Sequence, residues 1–179
     1  MRLLPAFVAA LMAAACHSPG AYGHARVYTP LDEEAAAAEN ARAYDPALAA
    51  RMPDEWKRAP VSVFGVVKAR LDGASGAASL SLGVRKLEAR NLCDTEDEDT
   101  CRVTVSEHDF ASLHAEVRLR EEDELGSASV GPGSLVRVIG VIADDVDPND
   151  GAPVIRARYY RHWPRGHYLT TAAPGRFRR

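Results

Sequence analysis

From Val61 onward the apolar residues recur at every second position in successive short runs, and a chain patterned in that way buries them by forming strands. VSVFGVVKARL places Val61, Val63, Gly65, Val67, Ala69 and Leu71 on one face, and DGASGA then breaks the run as a turn. SLSLGVRKLEARNLC alternates Leu80, Leu82 and Val84. It slips near Lys86 so that Leu87 and Ala89 continue the apolar face, which predicts a β-bulge there. CRVTVS returns as a further arm. GPGSLVRVIGVIA and APVIRARYY are strand-like again, separated by DDVDPNDG. Asp145, Asp147 and Asn149 in that turn are spaced like calcium ligands, but the glycine comes one position late, so turn chemistry is the better account. Residues 107 to 124 fit two patterns: Phe110, Leu113 and Val117 share a helix face, whereas Ala115, Val117 and Leu119 alternate as in a strand.

Ahead of the strands, TPLDEEAAAAENARAY has helix grammar. Thr29 can cap, Pro30 suits the first helical position, and Asp32 to Glu34 complement the helix dipole. A second short helix is predicted from Asp45-Pro46 to just before Pro53. Few large apolar side chains occur here, Leu31, Tyr44, Leu48 and Met52 among them, so the helices are expected at the periphery.

The chain opens MRLLPAFVAALMAAAC, an arginine followed by an apolar run from Leu3 to Ala15. A membrane-spanning helix needs about 20 apolar residues, so this run suits an export signal instead. Ala13-Ala14-Ala15 ahead of Cys16 resembles the lipobox of bacterial lipoproteins, with Ala13 where leucine is usual. Ordinary signal removal also satisfies the small-residue rule. Lipidation of Cys16 would leave Cys93 and Cys101 as a pair, whereas ordinary cleavage would leave an odd thiol. His17 after the cysteine resembles the pattern of lipoproteins sent to the outer membrane; a soluble periplasmic or secreted protein is the alternative.

In an exported chain Cys93 and Cys101 read as a disulfide across a hairpin tip, closing a loop worth about 2.5 kcal/mol in the chain-entropy picture. No C-x-x-C or zinc-ligand spacing is present. Asp94, Glu96, Asp97, Glu98 and Asp99 could offer oxygen ligands to calcium, but they lack the glycine and bidentate glutamate of an EF-hand and read as a solvated tip. No metal or cofactor is expected. The divisions that follow are a signal at 1–15, a lipidated tether at 16–29, a helical lead-in at 30–59, a β domain at 60–164 and a basic tail at 165–179.

The net charge of −3 conceals segregation, because acidic residues crowd positions 94 to 150 and none follows Asp150. RARYYRHWPRGHYLTT interleaves arginines with rings. A regular strand over 154–160 would put Arg156, Arg158 and Tyr160 on one face and Ile155, Ala157 and Tyr159 on the other. Arg156, Arg158, Tyr160 and Arg165 are therefore the candidate anionic-ligand residues, with Tyr159 and Trp163 structural. The plainer reading has the arginines neutralising the acidic hairpin and helix.

Three strands, a connection and two more strands follow the order of an OB-fold, a small five-stranded Greek-key barrel, with a small β-sandwich as the alternative. GSLVRVIGVI and VIRARYY resemble the fourth and fifth strands of anticodon-binding OB domains, and VFGVVKARL their first. YYRHWPRGHYLTT also resembles small OB-like lipoproteins of soil bacteria. The leading expectation, from the export signal and the fold, is a lipid-anchored, non-catalytic binding or assembly module at the cell envelope, contacting the membrane through its anchor and an envelope protein or anionic glycan. A nucleic-acid-binding OB protein and an envelope enzyme are the alternatives. Nucleic acid is the less expected partner, because the predicted second and third strands carry no ring and the centre of the chain is acidic. For catalysis, Ser106, His108 and Asp109 are sequence neighbours whose side chains diverge, His114, His162 and His167 stand in no metal motif, and neither H-E-x-x-H nor G-x-S-x-G occurs.

Overall fold

The structure, a computed structural model, describes residues 30–88 and 104–166. The expected signal and tether, Cys16, the Cys93–Cys101 pair with its acidic tip, and the tail from residue 167 lie outside the described residues. In chain order the elements are α1 (Asp32–Ala38), β1 (Arg42–Ala43), α2 (Pro46–Arg51), α3 (Pro53–Trp56), β2 (Pro60–Asp72), β3 (Ala77–Arg85), β4 (Leu87–Glu88), β5 (Thr104–Val105), β6 (Ser112–Arg118), α4 (Glu121–Glu124), β7 (Leu135–Val146) and β8 (Pro153–Trp163).

Strands β2, β3, β6, β8 and β7 are neighbours in that order, and β2 closes the circle by pairing with β7 as well. The long β2 makes this closure possible: residues 60–66 pair with β7 and residues 64–72 with β3. All these contacts are antiparallel except β6 with β8. This is the OB-fold arrangement, and the closing β2–β7 ladder distinguishes it from an open sandwich. Leu80, Leu82, Leu113, Val138 and Ile155 fill the interior with no measurable exposure beyond 1%. At Gly140 β7 and β8 approach so closely that a Cβ would lie 2.2 Å from the Arg156 carbonyl oxygen, which requires glycine there.

Two bulges change which residues face inward. In β2 the register skips Lys68, so Ala69 and Leu71 turn outward and Leu71 is 73% exposed, contrary to the regular alternation. Arg70 turns in and closes one barrel end, donating from Nη1 to the carbonyls of Glu124 at 3.0 Å and Val130 at 2.8 Å. In β8 the register skips Arg158, so Ile155 points inward while Tyr159 turns out and Tyr160 turns in. The slip expected near Lys86 is instead the end of β3, after which the short β4 pairs with β5. Residues 112–118 take the strand alternative, burying Leu113, Ala115 and Val117.

The lead-in packs outside the barrel. Asp45 caps α2 by accepting from Ala47 N and Leu48 N at 2.9 and 3.0 Å, as its position before Pro46 predicts. Trp56 of α3 is buried against the edge of the Tyr44 ring, with the Arg42 guanidinium 3.6 Å above it. Glu34 of α1 is completely buried. These anchors, more than apolar helix faces, hold the segment to the barrel.

At the barrel end the Tyr160 hydroxyl donates to Asp123 and accepts from Arg120 N at 2.8 Å. Burial, and then the Asp123 carboxylate, push Tyr160 well above its ordinary value of 10.0. The folded state therefore holds the phenolic proton more tightly than the unfolded chain. The associated stability is complete below about pH 10 and is lost as pH rises toward the raised folded value. Tyr160→Phe should flatten the alkaline limb of a stability-against-pH curve; an unchanged limb would assign it to another group.

Candidate functional site

The outer face of β2, β3 and β6 carries small side chains along β3. Pairing sets Ser79 against Glu116, Ser81 against His114, and Gly83 against Ser112. Ala69 and Leu71 of β2 lie opposite Ser81 and Ser79. The β2–β3 turn bounds the Ser79 end. The β7–β8 loop lies toward the other end, because His114 pairs with Val154 at the start of β8.

Beside Gly83 this face carries a set of charges. Asp109 lies across this glycine, where any Cβ would come within 2.3 Å of its carboxylate. Its oxygens pair with Lys68 at 2.7 Å and Arg85 at 2.8 Å, holding two cations beside each other. Phe110 follows, 50% exposed, with Lys86 Nζ 4.5 Å from its ring centroid. The ring is fixed from behind: Phe110 N donates to the Val84 carbonyl at 2.9 Å and Val84 N to the Ala111 carbonyl at 2.8 Å. Ser106 N donates to the Lys86 carbonyl, and Ser106 Oγ accepts from Lys86 N. Lys86, following β3, and Arg118, paired with Ala77 at the other end of β3, are exposed and make no ion pair with a described residue.

A second outer face lies across β2, β7 and β8. Phe64, Arg137, Arg161 and Trp163 gather there, with Phe64 and Trp163 ring centroids 6.3 Å apart. Helix α1 covers part of it: Glu34 Oε1 accepts from Arg137 Nη1 at 2.6 Å and Oε2 from Arg161 Nη1 at 3.0 Å. This face is committed to packing the lead-in.

The sequence-predicted residues separate accordingly. Arg156 is exposed beside β6 and pairs with Glu116 at 3.3 Å and Asp145 at 3.5 Å. Arg158, also exposed, donates to the Ala37 carbonyl of α1. Arg165 is exposed against Gly133. Tyr160, expected to face an anionic ligand beside Arg156 and Arg158, is 5% exposed and belongs to the core, because the bulge at Arg158 reverses the alternation. Trp163 is buried as expected, whereas Tyr159 is only partly so. Of the neighbours Ser106, His108 and Asp109, the serine hydroxyl donates to the His108 carbonyl and the aspartate is taken by Lys68 and Arg85, so no triad forms among them.

Phe110, Lys68, Lys86 and Arg118 were not singled out by sequence. Phe110 read as part of an apolar helix face, and only the strand conformation of residues 112–118 frees it. The available signal was its isolation: a large ring just ahead of the Leu113, Ala115, Val117 alternation and outside its phase.

No protein-family model and no curated protein matches the chain. Among solved structures it is similar to the crystal structure of a small single-stranded DNA-binding protein from Streptomyces coelicolor, at 21% identity and a TM-score of 0.33, over 60% of this chain and 95% of that one. The expectation of a lipid-anchored envelope module for protein or anionic glycan, with nucleic acid an unlikely partner, is corrected. The case against nucleic acid rested on missing rings, and it fails: Phe110, in the connection preceding β6, is half exposed with Lys86 Nζ 4.5 Å from its ring centroid.

Proposed function

We propose that the chain is a single-stranded nucleic-acid-binding OB module, using the outer face of β2, β3 and β6. The observation that carries this reading is Phe110, a half-exposed ring with Lys86 over it, next in sequence to Asp109, which pairs with Lys68 and lies against Gly83 of β3. An aromatic face stacks on any base, and cations at intervals follow the phosphates, so such a surface binds single strands with little sequence preference. Small residues along β3 let the strand approach the sheet closely, and this is the face on which OB barrels take oligonucleotides. Arg118 supplies a second cation about a strand's length from Lys86.

Fluorescence anisotropy with a labelled deoxythymidine oligonucleotide tests the reading. Binding should weaken steeply with salt, and Phe110→Ala should cost about 1–3 kcal/mol of affinity, the range of one base stack. Lys86→Ala should reduce the slope of log affinity against log salt by about 0.7, the single-strand value for one phosphate. Absence of salt-sensitive binding, or equal affinity in Phe110→Ala, would overturn it.

A further inference from the structure

Where β6 meets the β7–β8 loop, one imidazole faces two carboxylates. His114 Nε2 is 2.9 Å from Asp150 Oδ2, and its Nδ1 is 4.0 Å from Asp147 Oδ2. The nearest such atoms of the three residues all lie within 4.8 Å of one another. The loop presents these oxygens because their partners are engaged elsewhere. Asp147 Oδ1 accepts from Asn149 N at 2.8 Å and Asn149 Nδ2 at 3.1 Å, while Asp150 Oδ1 accepts from Ala152 N at 2.9 Å. No lysine or arginine among the described residues pairs with either aspartate; His114 is their side-chain ion-pair partner.

The 4.0 Å between the ring and Asp147 is too long for a hydrogen bond. One ring nitrogen and one oxygen from each carboxylate lie within 4.8 Å of one another, a spacing that a small adjustment of the side chains would close around an ion bonding each at about 2.0–2.2 Å. We infer that His114, Asp147 and Asp150 form a binding site for a divalent transition-metal ion of the zinc type, clipping the β7–β8 loop to β6. The imidazole selects against calcium and magnesium, which prefer oxygen ligands throughout. Partial exposure of Asp150, 46% for its side chain, leaves room for water to complete the coordination.

The test uses the full chain and metal alone, so its result is independent of nucleic-acid binding. Cobalt(II) titration followed by visible absorption, with zinc competition, should show one saturable site without thiolate charge-transfer bands, and zinc should raise the melting temperature. His114→Gln and Asp147→Asn should each weaken the site at least tenfold while the metal-free variants melt like the metal-free parent. No saturable site, thiolate bands, or unchanged affinity in both variants that melt normally would overturn the inference. Should either variant melt early, His114→Asn and Asp150→Asn provide the same comparison.

Discussion

Glu34→Ala is expected to lower stability by about 3–5 kcal/mol, the cost of removing one member of a buried ion-paired set. Its carboxylate is 0% exposed, joins Arg137 of β7 to Arg161 of β8, and accepts from Leu31 N at 3.2 Å. Alanine would remove an acceptor that those two guanidinium groups share, and would release α1, whose remaining body is DE and AAAA with no large side chain to hold it. Urea denaturation of the variant and parent measures the loss. A change below about 1 kcal/mol, the level of a surface pair, would show that the carboxylate is not what ties the lead-in down.

Trp163→Ala should cost a similar amount, about 3–5 kcal/mol, because the ring is 4% exposed and packs with Phe64 near the end of β8. By contrast, Arg156→Ala combined with Arg158→Ala should change stability by only about 0–1 kcal/mol. The Arg156 side chain is 63% exposed and both its carboxylate partners are more than half exposed. Thermal melting of the two variants decides it. Should the double arginine variant melt earlier than Trp163→Ala, the arginines would be structural and the division of β8 between core and surface would be reversed.

Four of the five barrel strands could be read because they depend on local pattern; the third could not, since CRVTVS supplies only β5 in a separate pair with β4, and residues 112–118 of the expected connection take its place beside β3. Alternation at Leu80, Leu82 and Val84 and again at Val136, Val138 and Ile142 marks segments that must bury one face, and Gly and Asp-rich breaks separate them. The α2 start was equally legible, since Asp45 and Pro46 act within their own turn. Phe110 was not, because the choice between helix and strand for residues 107–124 depends on β3 being available as a partner.

Residue pattern by itself determined a mainly β chain with a helical lead-in and four of the barrel's five strands, because the period of two is a property of each segment and needs no distant contact. Only the tertiary structure decided the faces. Closing the barrel demanded skips at Lys68 and Arg158, which sent Leu71 and Tyr159 outward and Arg70 and Tyr160 inward. It also decided the sites: His114 meets Asp147 and Asp150, and Lys68 meets Asp109, through parallel and antiparallel pairings between segments some thirty to forty residues apart. A strand's alternation says that one face will be buried, but the curvature of closure determines where that alternation is interrupted, and hence which side chains remain at the surface.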